Sequence, residues 1–466
     1  MNQNISRALV ALSFLFFVTL CYLYRPFVAD DAYIVGRYAL NAADGLGLVY
    51  NVGERVSALT SPLHALLLTA LAFTTDDPVA LYRMLAWTFP LMALFLAFRI
   101  YQPGPGERAI IAVFGLASPF LALWTVGGLE TPILAAVLTV FFAYVFKSAR
   151  LGKTSNGDLI ALGVVAALAF LARYDSVLLT VPLLVAIACL TWRRAMLWIA
   201  GAVSALIATA WLGFAYVYYG DVLPTSAYVK LGDSRTVAMS RVVLLNAVLV
   251  TGAALAFVFW LVQPKAQKDR VGAIWRGGMI SGGLFLFYAF QTSGAHMLFG
   301  YRMFVPVLIP LAMVLAASIR RGSAIFLGLQ AVLQGGVAVV VLAHGMNVQP
   351  VSDFGRFGTV VMENRDATPR AYGGFMSALE NSAEDLQAHW AAQDNPRTPR
   401  IFLYTGGTGY WLRNFYVYET LVGYRKACSV DVSKVLAASD YVQDLDVYIN
   451  ERLQRVYRES FAGTPE

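Results

Sequence analysis

The chain has 466 residues, of which 58% are hydrophobic and only 14% charged, and its mean hydropathy is +0.62. A soluble protein of this length carries roughly 25% charged residues, so the deficit excludes a water-soluble globular fold and puts most of the chain in lipid. The formal net charge of +7 matters less than where the charges fall between membrane segments, and no nucleic-acid partner is expected from it.

Apolar runs long enough to span, or nearly so, lie at 8–24, 82–100, 109–124, 131–147, 158–172, 177–191, 196–219, 242–262, 273–292, 303–319 and 323–344. The first follows Arg7 and runs into Tyr24-Arg25-Pro26-Phe27 rather than a small-residue cleavage site. It reads as a retained membrane helix with a cytoplasmic N-terminus. A shorter run, Leu63 to Phe73, opens with Thr60-Ser61-Pro62, a helix-start signal with proline in the first turn. If it crossed, every later loop would change sides.

Basic residues decide that question. They cluster at Arg99/Arg108, Lys147/Arg150/Lys153, Arg193/Arg194, Lys265/Lys268/Arg270/Arg276 and Arg320/Arg321. With 63–73 uncrossed, all five clusters share the cytoplasmic side with Arg7, as the positive-inside bias requires; with it crossed, all five lie outside. The expectation is an α-helical polytopic membrane protein with about eleven transmembrane helices and juxtamembrane helices in the first outer loop.

Beyond about residue 344 the character changes. Asp353–Arg370 and Glu380–Arg400 are too polar to span, and Ile401-Phe402-Leu403-Tyr404 reads as a buried strand leading into Thr405-Gly406-Gly407-Thr408-Gly409. Val442, Leu445, Ile449, Leu453 and Val456 recur at helical spacing. The expected division is a membrane domain over 1–344 and a small extracytoplasmic α/β or α+β cap over 345–466.

On this topology the cytoplasmic turns are plain basic connectors and the unusual residues face out. They are Asp30-Asp31, Glu130 after a Gly-Gly pair, Arg173 and Asp175, Lys230, and Tyr301-Arg302. If a helix starts near Asp31, then Asp30, Tyr33, Arg37 and Asn41 share one face. A carboxylate can take a proton from a hydroxyl while a cation steadies a departing phosphate. Plainer readings stand beside these. Aspartates often cap helix starts, a glutamate in a first turn is favoured by the helix dipole, and Arg173 could simply pair with Asp175. Arg302 differs, because a cation at a helix start is unfavourable unless an anion accompanies it. Nucleotide-activated donors are not expected on the outer side, so a transferase there needs a donor held in the membrane.

Cys21, Cys189 and Cys428 are far apart, and His64, His296, His344 and His389 are scattered. Disulfide, zinc and histidine metal sites are not expected. The Asp-Asp pair is compatible with a divalent cation without requiring one.

The stretch from Asp30-Asp31-Ala32-Tyr33 through Arg37-Tyr38, Asn41, Gly45-Leu46-Gly47, Tyr50-Asn51 and Gly53-Glu54-Arg55 to Thr60-Ser61 resembles the GT-C membrane glycosyltransferases that use polyprenyl-phosphate sugars, their arabinosyl-transferring members in particular. Gly128-Leu129-Glu130-Thr131, Leu171-Ala172-Arg173-Tyr174-Asp175, Tyr219-Gly220-Asp221-Val222-Leu223-Pro224 with Lys230, and Tyr301-Arg302-Met303-Phe304 extend the likeness over about 20–310. The resemblance implies a GT-C fold in a bacterial cytoplasmic membrane and transfer of a sugar, arabinofuranose as the best match, to an envelope glycan or pilin-like protein. It implies a catalytic base at Asp30 or Asp31 and a second acidic position at Glu130. Arg37, Asn41, Arg173, Asp175, Lys230, Tyr301 and Arg302 are the substrate-binding candidates. Rival readings are another lipid-phosphate hexose or pentose transferase, a non-catalytic membrane protein related to flagellar motor control, and a transporter.

Overall fold

The computed structural model describes residues 1–151, 154–191, 194–225, 302–318, 324–344, 368–393, 397–403, 406–419 and 441–442, with short pieces between 274 and 286. It is overwhelmingly helical. The helices are α1 (Gln3–Tyr24), α2 (Asp30–Ala43), α3 (Pro62–Ala72), α4 (Pro78–Leu85), α5 (Thr88–Tyr101), α6 (Pro105–Ile111), α7 (Pro119–Val126), α8 (Thr131–Leu151), α9 (Asn156–Ala172), α10 (Val177–Thr191) and α11 (Ala195–Tyr219). After these come α12 (Leu308–Ser318), α13 (Ala324–His344) and α14 (Pro369–Ala391).

Among the described residues, four stretches are long and apolar enough to cross a membrane alone: 3–24, 78–101, 131–150 and 195–219. A fifth, 105–126, is bent by 55°. Its bend has a local cause. A π-helical turn at Ala112–Leu116 is followed by Ser118-Pro119, and proline lacks the N–H and clashes with the carbonyl one turn back. The expected run 109–124 is therefore a broken helix, while shorter apolar helices over 156–172, 174–188, 305–317 and 327–343 fall on four further runs. The run at 242–262 and most of 273–292 lie outside the described residues.

The short run predicted not to cross is α3. Its 11 residues rise roughly 16 Å at 1.5 Å per residue, about half of a hydrocarbon core. It packs on α2, α4 and α9 rather than extending the bundle.

Polar contacts sort the turns into two ends. At one end Ser6 Oγ donates to the Pro105 carbonyl at 2.5 Å, Arg150 meets Glu107 at 2.9 Å, Lys147 meets Asp158 at 2.7 Å, and Arg194 donates to the Thr154 carbonyl. These are the basic connectors of the sequence pattern. The other end holds α2, α3, the Gly127–Glu130 turn, the Arg173–Asp175 turn, Arg302 and the C-terminal part.

That C-terminal part combines α14 with a three-stranded parallel sheet of order β2-β1-β3, from β1 (Arg400–Leu403), β2 (Tyr416–Glu419) and β3 (Tyr441–Val442). Arg400 pairs with Tyr416 in register, and Ile401 with Tyr441. Arg37 fastens it to α2. Its fully buried guanidinium donates to the carbonyls of Tyr50 (2.6 Å), Gly409 (2.5 Å), Leu412 (3.0 Å) and Phe415 (2.8 Å), and to Asn51 Oδ1 at 3.4 Å. Asn51 in turn bonds both the N–H and the carbonyl of Val417, like one more strand residue. The Gly406–Tyr410 turn lies tightly on α2. A Cβ on Gly407 would come 2.7 Å from the Asp30 carbonyl oxygen, and one on Gly409 would overlap the Tyr50 hydroxyl. Thus the Gly-Gly-Thr-Gly run serves close packing.

Each orphaned buried carbonyl costs about 1–3 kcal/mol. Arg37→Met should therefore lower stability by on the order of 3 kcal/mol or more and loosen the C-terminal part. Thermal melts in detergent, with proteolysis of the 397–419 region as the local readout, check this. A melt indistinguishable from that of the native protein would show that the clamp is dispensable.

Candidate functional site

The acidic pair is placed by two loops bonded together. After the turn at Arg25-Pro26 that closes α1, the chain reaches the start of α2 through an extended Ala29, whose N–H donates to the Gly127 carbonyl at 2.9 Å. Arg83 of α4 reinforces the seam, donating to the carbonyls of Val126 (2.8 Å), Arg25 (2.6 Å) and Phe27 (2.9 Å). Gly128 turns the chain at φ +83°, and a Cβ there would lie 2.9 Å from Ala32 Cβ. The next residues deliver Glu130 to the base of α8, against the first turn of α2.

Here five charges alternate in sign. Arg173 grips Asp175 through Nε (3.0 Å) and Nη2 (2.5 Å), and gives Nη1 to Glu130 Oε1 at 2.9 Å. Arg302 approaches the same Oε1 at 3.6 Å and reaches Asp31 Oδ2 at 3.1 Å. The order is Asp175, Arg173, Glu130, Arg302, Asp31. The Arg302 guanidinium lies over the Trp124 ring at 5.6 Å. Its buried Nε–H has no partner among the described residues.

The carboxylates have distinct electrostatics. Burial alone would push Glu130 up; the charges of Arg302 and then Arg173 outweigh it and hold the carboxyl at about 2. Such a group is a poor base and a good counterion. Asp30 goes the other way. Burial, and then the adjacent Asp31 charge, push it up to about 7, against hydrogen bonding from the Asp31 N–H and the pull of Arg302. α14 supplies part of that burial: Tyr372 packs edge-on to Phe27 at 5.3 Å, and a Cβ on Gly373 would meet the Pro26 carbonyl at 2.5 Å. Tyr372 also feels the charges of both Asp30 and Asp31, and its hydroxyl is raised above the usual tyrosine range, first by burial.

A narrow crevice, with a cavity volume of about 10 Å³, leaves the cluster between helices. Arg173, Asp175 and Arg302 line it together with apolar side chains such as Leu134, Leu179 and Phe285.

The structure thus brings together Asp31, Glu130, Arg173, Asp175 and Arg302, with Asp30 alongside. It does not bring Arg37 or Asn41 to them. Arg37 is committed to the carbonyls named above, and Asn41 Nδ2 donates to the carbonyls of Val49 (2.9 Å) and Tyr50 (3.1 Å). Lys230 and Tyr301 lie outside the described residues. Sequence reasoning passed over Arg83 and Tyr372, weighed Trp124 only as an aromatic that could stack on a sugar or belong to an interfacial belt, and met His64 only among the scattered histidines. His64 is fully buried in α3 against Tyr82, with ring centroids 4.7 Å apart, and burial lowers its pKa to about 4. Only its apolar neighbourhood on a helix marks it in the sequence, and that pattern is common. Among the described residues, no three His, Cys, Asp or Glu side chains converge as a metal-binding group.

Over 222 residues, 44% of this chain and 35% of the relative, the sequence is 30% identical to the terminal beta-(1->2)-arabinofuranosyltransferase of Mycobacterium tuberculosis. The match spans about a third of that relative's length. In three dimensions the chain is similar to ArnT from Cupriavidus metallidurans bound to undecaprenyl phosphate, with a TM-score of 0.57 and 14% identity over 96% of this chain and 91% of that one. The apo form of ArnT gives a TM-score of 0.54 and 15% identity over 93% and 89%. No protein-family model matches the chain. The chain thus shares the fold of ArnT, and it is the α-helical polytopic membrane fold expected from the sequence.

Because an L-residue at positive φ costs about 1–3 kcal/mol and the new methyl would press on Ala32, Gly128→Ala should both destabilise the protein and shift the acidic pair. A lowered melting temperature checks the first effect. Activity lost beyond what the melt explains checks the second, and a silent variant would dissociate the turn from the site.

Proposed function

We propose that the protein is a membrane glycosyltransferase that moves a sugar from a polyprenyl-phosphate donor to an acceptor outside the cytoplasmic membrane. In this reading the N-terminus is cytoplasmic, the C-terminal part is extracytoplasmic, and the acceptor is an envelope glycan or a pilin-like protein. The observation that carries it is the arginine pair that shares buried Glu130, one arginine also reaching Asp31, beside a carboxyl poised near neutrality. A lipid phosphate needs guanidiniums for its head group. Sugar transfer adds the need for a base. The ArnT likeness supports the lipid-phosphate class of donor. The partial match to an arabinofuranosyltransferase supports arabinofuranose as the sugar.

The chemistry follows from the charges. The donor phosphate takes Arg302, through its open Nε–H and by displacing Asp31 from Nη1. Arg173, oriented by Glu130 and Asp175, adds a second positive charge, with Lys230 and Tyr301 as further donor contacts. Asp30, ionised for part of the time at pH 7, receives the acceptor hydroxyl proton as that oxygen attacks the anomeric carbon. The bond from that carbon to the phosphate oxygen breaks, and its electron pair leaves on polyprenyl phosphate. Guanidiniums beside that oxygen stabilise the developing charge more than the ground state.

The test is transfer by purified protein from polyprenyl-phosphate arabinofuranose, with other lipid-phosphate pentoses and hexoses compared under the same conditions. Asp30→Asn should cost roughly 100- to 10,000-fold, the usual range for a general base. Since the base must be unprotonated, kcat/KM of the native protein should fall about tenfold per pH unit below about 7 and level off above it. Full turnover in both Asp30→Ala and Asp31→Ala would sink the mechanism; preference for another lipid-linked sugar would revise the donor alone.

A further inference from the structure

We infer that the cleft between the C-terminal end of α2 and the C-terminal part is a second carbohydrate site, which holds the distal residues of an oligosaccharide acceptor. The inference rests on the transferase reading for its purpose, though not for its chemistry. The cleft has a volume of about 700 Å³, within the roughly 300–1,000 Å³ common for ligand sites. One wall comes from Asn41 and Asp44; the other comes from Gln387, Trp411, Arg413 and Asn414.

Two polar groups in these walls lack partners among the described residues. Asn41 Oδ1 is an unpartnered acceptor on a residue only 1% exposed, and Arg413 Nε is a buried unpartnered donor. Leaving such groups without a partner is costly, and a ligand rich in hydroxyls satisfies both an acceptor and a donor. The cleft's charges are already balanced. Asp44 and Arg413 form an ion pair, so neither an anionic nor a cationic ligand finds a net counter-charge. An apolar ligand would leave Asn41 Oδ1 and Arg413 Nε without partners. A half-buried indole, Trp411, offers a flat apolar face beside these polar groups, the usual complement of a sugar ring with its hydroxyl edge and C–H face. Together these features favour a neutral glycan.

The position explains why the occupant must be a chain. Asn41 is eleven positions beyond Asp30, roughly 16 Å along the helix at 1.5 Å per residue, farther than one sugar ring reaches. Trp411 lies against Tyr33 at 4.5 Å, so the cleft wall continues along α2 toward the acidic pair. A glycan with its end at Asp30 would therefore lay its later residues in the cleft.

The experiment is calorimetric titration of the full-length protein in detergent, without any donor. The probes are linear arabinan and maltose-series oligosaccharides of two and six residues. At least one hexasaccharide should bind ten or more times more tightly than its disaccharide. In the Asp44→Asn/Asn414→Ala double variant, confirmed as folded by an unchanged melting temperature, that preference should vanish. Equal affinity for both lengths, a preference that survives in the double variant, or no saturable binding of either hexasaccharide overturns the inference. Because no donor is present, absent sugar transfer leaves a positive binding result intact. Active transfer without length-dependent binding removes the cleft alone.

Discussion

A buried carboxylate shared by two guanidiniums organises the end of this protein that carries α2 and α3. Glu130 is 3% exposed and stands between Arg173 and Arg302, which without it would be like charges facing each other in a poorly solvated place. Removing one partner of a buried charged group typically costs several kcal/mol, so the turns that carry these residues hold one another in place. Those turns are far apart in sequence: the α7–α8 connection, the α9–α10 connection, the segment before α12 and the start of α2. On the transferase reading, this chain of charges also sets how a phosphate binds. The donor does not enter an open positive hole; it exchanges with Asp31 for Arg302. Two arginines are thereby kept close together in the resting protein without an unpaired buried charge.

The second constraint is the seat of the C-terminal part on α2. Arg37, one and a half turns beyond Asp31, is fully buried among carbonyls from residues 50 and 409–415, so α2 cannot shift without breaking that docking. The same docking brings α14 over the Pro26–Asp31 segment and removes water from Asp30. The C-terminal part thus raises the proton affinity of Asp30 through desolvation, the leading cause of its raised pKa. Packing at one face of a helix becomes proton affinity at its first residue.

Much of this was legible in the sequence, and the legible part has a common cause. Apolar runs and basic clusters are local signals, so nearly every described helix falls on an expected run, and the short α3 stays at one end as the charge pattern requires. Glu130, Arg173, Asp175 and Arg302 stood out as charges at turns that lipid would not tolerate, and they converge with Asp31. The helical-face argument fared differently. It correctly set Arg37 and Asn41 on one side of α2, but a period cannot say what meets that side. Their partners include a local loop for Asn41 and, for Arg37, residues more than 370 positions later. His64 and Tyr372 act through burial produced by distant packing, for which one sequence carries no mark. Likewise the bend at Pro119 is visible as a proline, while its consequence, Trp124 under Arg302, depends on where α12 begins.

The helix geometry also suggests why two adjacent aspartates are present instead of one. Neighbours on a helix point about 100° apart, so Asp30 and Asp31 meet different surroundings. Asp31 turns to Arg302 and keeps part of its surface in water. Asp30 turns under the C-terminal part, where burial and its neighbour's charge both oppose ionisation. Environments that drive two carboxyls apart are the usual means of giving them separate roles. On this reading, the displacement of Asp31 by the donor has a further effect. A phosphate on Arg302 takes over the positive charge that had been paired with Asp31, and the freed Asp31 carboxylate raises the proton affinity of Asp30 further. Donor binding then shifts Asp30 toward its protonated form near neutrality, so the filling of the phosphate site is coupled to the protonation of the base, and the ionised fraction of Asp30 is what takes the acceptor proton.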